Sequence, residues 1–276
     1  MRLVFLLPLL ISALLSGTLA QPAQPLAPNE LVRQVVAHEL RADAADHSHW
    51  MYEVETRVPQ PEKTMTVVEA DHGDLTVLKA IDGRPLTPDQ RSVEQRRIQR
   101  FIADPDQQSK ARRASAADDK KTEQLFSMLP DAFLFTYGGP VGDDERLDFH
   151  PNPAFNPHSS DAYVFHKMDG FVVVNTREQR LVEISGRLSN GVQFAGGLLG
   201  HLDPGGTFDV HRAAVSPGHW VITRLQVNMN GKVLFFKTIA VQQDEIDSHF
   251  RRIPDGTSLA QAEKLAQEGS AKIPGQ

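Results

Sequence analysis

GGLLGHLDPGGTFDVHRAAVSPGHWVITRLQVNMNGKVLFFKTIAV, residues 196–241, is the stretch that decides the fold of this chain. It contains three runs of β-branched and aromatic residues, separated by short segments that favour turns. Ser216-Pro217-Gly218 ends the first run. Asn230-Gly231 ends the second, and this pair is typical of a tight type I′ hairpin because both residues tolerate a positive φ. The stretch therefore predicts an antiparallel meander over Thr207–Val215, His219–Met229 and Lys232–Val241.

A second meander is predicted upstream, after an amphipathic helix over residues 29–45 that Asn29 caps. His49–Val58 alternates apolar and polar residues, as a strand with one buried face does. Asp169-Gly170 is expected to form a turn. The further predicted strands are Thr64–Ala70, Leu75–Ile81, Ala132–Tyr137, Leu147–Phe149, Ala162–Phe165, Phe171–Arg177, Leu181–Leu188, Gln193–Leu202 and Phe250–Pro254.

A helical insertion is predicted between strands, over residues 87–129. Thr87, followed by Pro88 and Gln90, is a typical helix start, and this helix should end near Ala103. A second helix is expected over residues 117–129, after a polar segment with too few apolar residues for burial. Residues 91–121 hold nine basic and five acidic side chains. This excess favours a solvated helical face, and the alternative is a docking surface for an acidic partner or anionic lipid headgroups.

The N-terminal residues predict export. MRLVFLLPLLISALLSGTLA, residues 1–20, has one basic residue, an apolar run and small residues before an expected cleavage after Ala20. The apolar run is too short for a membrane span, and no later segment is longer, so no transmembrane segment is expected in the mature chain. The absence of cysteine excludes disulfides and cysteine-ligated metals. A formal net charge of −6 gives no electrostatic basis for binding nucleic acid. The periplasm is the expected compartment, with secretion as the alternative.

No complete catalytic or metal-binding motif is present, so no catalytic residue, metal or cofactor is predicted. Asp46, His47 and His49 could share a metal, but no further ligands follow at a recognisable spacing. Ser216, with His201-Leu202-Asp203 and Asp209-Val210-His211, offers the residue types of a hydrolase. The chain has no G-x-S-x-G elbow, and these residues fall on turns and outward strand positions. Solvated polar positions are the favoured interpretation.

The order of elements predicts an α+β fold. After the leader and an extended tether over residues 21–28, we expect one domain over residues 29–257. Its strongly curved antiparallel sheet would form a half-barrel of about 9 to 11 strands, with helices covering the concave face. A short helix and a polar tail follow over residues 258–276.

This pattern resembles the periplasmic lipoprotein-carrier superfamily with the LolA/LolB-like fold. The resemblance is carried by HWMYEVETRV and TVVEADHGDLTVLKAIDG in residues 49–83, and by WVITRLQVNMNGKVLFFKTIA in residues 220–240. The chain also resembles exported bacterial proteins of unassigned activity that share PNPAFNP and GGLLGHLDPGG. The resemblance implies an open curved sheet with an apolar inner face and a lipid or lipoprotein ligand. The chain is longer than the carriers and shows no carrier motif at residue level, so a fold and a ligand class carry over and a site does not.

Apolar residues on the predicted inner face are the candidate ligand-binding residues. If the strand alternation holds, one cavity between sheet and helices is lined by Trp50, Tyr52, Val54, Val182, Ile184, Phe208, Val210, Leu225, Val227, Phe235 and Ile239. The sequence thus favours a non-enzymatic carrier of a lipid, lipoprotein or other hydrophobic ligand. The alternative is a structural or interaction protein of the envelope with a filled interior, which binds a protein partner through its surface or its basic insertion.

Overall fold

A computed structural model describes residues 26–157, 159, 161–194, 200–233 and 237–270. The predicted leader and most of the predicted tether lie outside the described residues. The helices are α1 (Pro28–Ala45), α2 (Pro88–Ala103), α3 (Pro105–Ala132) and α4 (Leu259–Ser270), with a 3₁₀ helix over Asp161–Lys167. The strands are β1 (His49–Val58), β2 (Lys63–Val68), β3 (Leu75–Ile81), β4 (Arg84–Pro85), β5 (Phe133–Val141), β6 (Asp144–Pro151), β7 (Met168–Asn175), β8 (Arg180–Leu188), β9 (Val192–Phe194), β10 (Gly200–Leu202), β11 (Thr207–Ser216), β12 (His219–Val233) and β13 (Lys237–Ile253).

All thirteen strands belong to one antiparallel sheet. Eleven of them follow the order β4-β3-β2-β1-β13-β12-β11-β8-β7-β6-β5, and the short strands β9 and β10 extend from β12. The two ends of this path do not pair, so the sheet is open. Several register shifts interrupt the ladders, including one where His249 on β13 takes a φ of 56°, and such bulges bend a sheet. The predicted α+β fold with a curved, open antiparallel sheet is confirmed.

The sheet carries a hydrophobic core on each of its two faces. Paired residues of neighbouring strands point to the same face, so the register shows which residues of different strands share a face. What we call the first face contains the row Val172, Ile184, Val210, Leu225, Glu245 and Thr56. The second face contains the row Leu75, Val68 and Met51. Met51 and Thr56 are an odd number of positions apart on β1 and therefore point to opposite faces.

The two cores lie at opposite ends of the sheet. On the first face, α1, the C-terminal part of α3 and the 3₁₀ helix pack against β5 to β8, with Phe133, Leu147 and Leu188 almost fully buried. On the second face, α2 and α4 pack against β1 to β3, around Val68 and Leu75. Between these cores, β11 to β13 remain partly exposed on both faces.

Helix α1 is fixed to the sheet by a buried ion-pair cluster. The Glu39 side chain is 1% exposed, and its Oε2 lies 3.0 Å from Nη2 of Arg180 on β8 and 2.7 Å from Nη1 of Arg212 on β11. The backbone N–H of Leu181 donates to Oε1 of Glu39 at 2.7 Å. Both carboxylate oxygens therefore contact groups on the sheet, and these contacts fix the position of α1.

The expectation that Asn29 caps α1 is wrong. The helix begins at Pro28, after Ala27, without a side-chain cap. The Asn29 side-chain amide instead donates to the carbonyls of Pro130 and Phe133, and its Oδ1 accepts from the N–H of Phe135. This residue thus connects α1 to the start of β5. By contrast, the predicted capping box of Thr87 and Gln90 is confirmed at the start of α2.

The predicted turn at Asn230-Gly231 is wrong, because both residues lie inside β12. They pair with Ala240 and Ile239 on β13, and β12 continues beyond them to Val233. A Cβ atom on Gly231 would lie 2.2 Å from the carbonyl oxygen of His201 on β10. The glycine therefore permits a close approach between strands and does not form a turn.

The polar segment 104–116, expected to separate two helices, is helical. Helix α3 begins at Pro105, after Asp104, whose side chain accepts from the N–H of Gln107. Most of this segment is exposed, so its low apolar content prevents burial without preventing helix formation. The basic insertion is thus largely a solvated helical surface in this structure.

Three further expectations are wrong. Residues 162–165 form part of a 3₁₀ helix and not a strand. Asp169 and Gly170 lie within β7, where a Cβ on Gly170 would lie 2.0 Å from the backbone oxygen of Ser185, so this glycine also serves a close approach. The predicted strand 193–202 is instead the pair β9 and β10, with residues 195–199 outside the described residues.

Candidate functional site

The register places four of the candidate residues in an apolar strip on the first face. Phe208 and Val210 on β11 lie directly opposite Val227 and Leu225 on β12. On its other side, Val210 pairs with Ile184 of β8. All five side chains are partly exposed, and Ile184 and Phe208 also pack against the first core. The strip therefore extends the apolar surface beneath α1 onto strands that the first core leaves partly open.

The ring of Phe208 occupies space that is open only because Gly186 has no side chain. A Cβ atom on Gly186, its partner on β8, would lie 2.3 Å from Cε1 of this ring. Only glycine leaves the space that the ring occupies. Local sequence pattern shows the glycine, but not that an aromatic ring from β11 lies over it.

Trp50, Tyr52 and Val54 lie on the same face but outside the strip, and Trp50 lines a separate pocket of about 520 Å³ with Asp46 and His219. Trp50 is 6% exposed and Val54 is 5% exposed. The ring of Trp50 stacks on His219, with 4.4 Å between the centroids, and Tyr52 stacks on Phe250 at 4.9 Å. These residues are packed side chains on β1, separated from the strip by β13.

The remaining three candidates do not join the strip as described. Val174 pairs with Leu181, and Val172 pairs with Ile184, so a bulge on β8 interrupts the alternation. Leu181 takes the core position that the simple alternation assigns to Val182, and it is 5% exposed. Phe235 lies outside the described residues, and of Ile239 only the backbone, within β13, is described.

An open pocket lies against β11, β12 and β13, near the end of β1. Its volume is about 460 Å³. By the register, its lining residues Thr207, Asp209, Gln226, Asn228, Gln242 and Asp244 belong to the second face, whereas Phe208, Val227 and Gln243 belong to the first. Its full lining is Val58, Thr207, Phe208, Asp209, Gln226, Val227, Asn228, Gln242, Gln243 and Asp244. The pocket is thus lined mainly by polar residues of the second face, on the side of the sheet opposite the strip.

Strand β13 places polar side chains in the middle of the apolar face. Gln243 lies opposite Val227, Glu245 lies opposite Leu225, and Asp247 lies opposite Val54. Oδ1 of Asp247 is buried and has no hydrogen-bond partner among the described residues. Burial, and then the nearby charge of Glu245, raise the pKa of the Asp247 carboxyl to about 7. No role is predicted for residues 242–249 from sequence alone, although three acids, Asp244, Glu245 and Asp247, lie close together there.

A second perturbed carboxyl lies at the far end of the same face. The backbone N–H of Trp50 donates to Oε2 of Glu69 at 2.7 Å. Burial nevertheless raises the pKa of Glu69 to about 7. Burial also raises the pKa of the Tyr52 hydroxyl, and the charges of Glu69 and Asp247 add to this effect. The first face around β1 and β13 is therefore a negatively charged, partly desolvated environment.

The second face carries the one group of described residues with metal-ligand geometry, Glu183, Asp209 and His211, whose ligand atoms lie within 4.8 Å of one another. Nε2 of His211 lies 2.6 Å from Asp209, and Nδ1 lies 3.8 Å from Glu183. These residue types can bind a divalent cation. Arg224 lies directly opposite His211 on β12, and its positive charge disfavours a cation there.

The other metal hypothesis, Asp46 with His47 and His49, is not assembled. Asp46 contacts His219 and Ser48, whereas His49 lies 3.8 Å from Asp71 and 3.7 Å from Asp255. His219 and His49 thus contact different carboxylates, and His47 is exposed.

The polar contacts described here also do not arrange a serine, a histidine and a carboxylate in the order that a catalytic triad requires. Ser48 and His219 both contact Asp46, so the acid lies between them. Ser248 lies 3.1 Å from Nδ1 of His249, and Glu53 lies 3.8 Å from the same nitrogen. A triad requires the serine and the acid at opposite ring nitrogens. No described serine meets that requirement through these contacts.

Comparison of the chain with protein-family models, with curated proteins and with solved structures found no match. None of the described helices is long and apolar enough to cross a bilayer.

Proposed function

We propose that this protein is an exported, non-enzymatic carrier or binding protein for an apolar ligand, such as a lipid or the acyl chains of a lipoprotein. The observation that carries the proposal is the partly exposed apolar strip, Phe208, Val210, Leu225 and Val227, which continues the apolar surface of the first core along β11 and β12. The leader-like residues 1–20 favour the periplasm as the place of action.

The strip has the chemistry to hold a hydrocarbon chain. Its apolar side chains alternate with polar ones along β11 and β12, so one face of these strands offers a continuous apolar surface. Burial of a chain on this surface stabilises the complex by about 0.8 kcal/mol per CH₂ group that leaves water. The open curved sheet and the resemblance to lipoprotein carriers support the same ligand class.

Ligand binding can be tested directly on the mature protein. Native mass spectrometry of protein purified from its own periplasm, followed by organic extraction, should detect a stoichiometric apolar ligand. In parallel, a fluorescently labelled dodecanol should bind the delipidated protein, and unlabelled dodecanol should displace it.

A matched pair of variants locates the site. Leu225→Gln should weaken dodecanol binding about 10-fold, because a leucine side chain contributes more than one CH₂ contact of this energy. Val93→Gln on α2, where Val93 is 57% exposed, should leave binding unchanged. A protein that is free of ligand and binds no dodecanol, or equal binding by both variants, would contradict the proposal. The search would then turn to an envelope partner of the helical insertion.

A further inference from the structure

Strand β13 has an unusual composition for its place in the fold. It lies between β1 and β12 in the middle of the sheet, yet between residues 243 and 247 its first-face residues are Gln243, Glu245 and Asp247. Their cross-strand neighbours Val227, Leu225 and Val54 are apolar. A carboxylate that is partly removed from water costs free energy unless it is paired. For Asp247, whose buried Oδ1 has no hydrogen-bond partner among the described residues, this cost is not offset by those residues.

No basic side chain among the described residues forms an ion pair with either acid. Gln243 donates to Glu245 at 3.3 Å, and Oδ1 of Asp247 has no donor within the described part of the chain. Arg224, the cation nearest along the ladder, points to the second face and lies 3.7 Å from Asp244 there. On the first face, Lys63 lies two strands away, beyond Thr56, and is exposed.

We propose that the apolar ligand of the strip carries a cationic amine, which Glu245 and Asp247 bind while the hydrocarbon part lies along Leu225, Val227 and Phe208. This inference rests on the proposed function and specifies its ligand class, an amphiphile with an ammonium head. It is carried by charge complementarity, because the strip is apolar and its border carries two acids that form no ion pair with a described basic side chain.

The spacing suits one ammonium group. Glu245 and Asp247 are two positions apart on a strand, which places their Cα atoms about 7 Å apart on the same face. An ammonium group has three N–H donors, so it can bridge two carboxylates that converge from this distance. Leu225 lies about 5 Å from Glu245 as its cross-strand partner, so a chain that leaves the amine meets the strip directly.

The test compares three ligands of one chain length. Dodecylamine, dodecanol and laurate are titrated against the mature wild-type protein at pH 8 by displacement of the labelled dodecanol. Dodecylamine should bind at least about 10-fold more tightly than dodecanol, as expected for charge-assisted hydrogen bonds, and laurate should bind more weakly than either. Equal binding of all three ligands would overturn the inference and leave the proposed function standing. Failure of all three to bind would overturn both.

Two double variants separate the site from the overall charge. Glu245→Gln with Asp247→Asn should remove the preference for the amine and keep dodecanol binding. Glu55→Gln with Asp244→Asn removes the same two charges on the second face and should keep the preference. An equal loss in both double variants would show a general electrostatic effect and overturn the inference. Tight binding of Ca²⁺ alone that only the first double variant loses would assign the acids to a metal ion, which would also overturn it.

Discussion

Glu245 on β13 lies directly opposite Leu225 on β12, so a carboxylate and an apolar side chain are neighbours on the first face of the sheet. This pairing marks the border between the apolar strip and the acidic strand. On the strip side the surface suits a hydrocarbon chain, and on the β13 side it suits a cation. The first two predictions concern the acids at this border.

Amine binding should depend on pH. Because the pKa of Asp247 is raised to about 7, its carboxyl is largely ionised at pH 8 and largely protonated at pH 6. An alkylamine stays cationic over this range. The affinity for dodecylamine should therefore fall by up to about 10-fold from pH 8 to pH 6, while dodecanol binding stays constant. A pH-independent amine affinity in the wild type, or an unchanged profile in Asp247→Asn, would contradict this prediction.

Removal of the Asp247 charge should stabilise the protein at high pH. The carboxyl has a raised pKa in the folded state and an ordinary one near 3.9 in the unfolded chain, so between these values the folded state holds the proton that the unfolded state has lost. Stability should thus fall as pH rises from about 4 to about 7. Asp247→Asn should raise Tm at pH 8 and leave it nearly unchanged at pH 4. Thermal melts at both pH values, with Asp244→Asn as the control, check this difference.

Loss of the Glu39 carboxylate should be strongly destabilising. Glu39→Gln leaves Arg180, which is 5% exposed, and Arg212 without their shared counter-ion. Breaking a buried pair in this way costs about 3–5 kcal/mol. The exposed pair of Arg33 and Asp131 provides the control, because Asp131→Asn should cost less than about 1 kcal/mol. Urea unfolding of both variants measures the two costs, and similar values would contradict a dominant role for the buried cluster.

Because β10 lies close to β12 at Gly231, a side chain at this position should destabilise the protein. In Gly231→Ala the new Cβ would collide with the backbone oxygen of His201, and the strands must move apart at a cost of about 1–3 kcal/mol. Gly206→Ala is the matched control, because its nearest neighbour, at 3.2 Å, is the flexible Met229 side chain. The free energy of unfolding should fall clearly for the first variant and little for the second. If Gly231 formed a hairpin turn instead, hydrogen exchange would show unprotected amides at Asn230 and Gly231.

Much of the fold follows from local sequence. The alternation in residues 49–58 and the apolar residues of 75–81 predict β1 and β3, because a period of two residues exposes one side of a strand and buries the other. The capping box at Thr87 predicts the start of α2, since both of its hydrogen bonds join residues three positions apart. These features need no partner from elsewhere in the chain.

The candidate site follows from sequence only in part. The alternation on β11 and β12 predicts that Phe208, Val210, Leu225 and Val227 share a face, and the register agrees. The bulge that puts Leu181 in place of Val182 depends on pairing with β7, which no local pattern reveals. The acidic border likewise depends on which strands enclose β13.

The sequence by itself thus determined a β-rich chain with amphipathic helices, the start of α2, and an apolar alternation on β11 and β12, because these properties depend on neighbours within a few positions. Only the tertiary structure decided that Asn230-Gly231 continues a strand, that residues 105–116 belong to one long helix, and that Glu245 and Asp247 lie within an apolar face. The physical reason is that strand pairing brings together residues far apart in the chain, so the environment of a side chain is set by partners that its own segment does not contain.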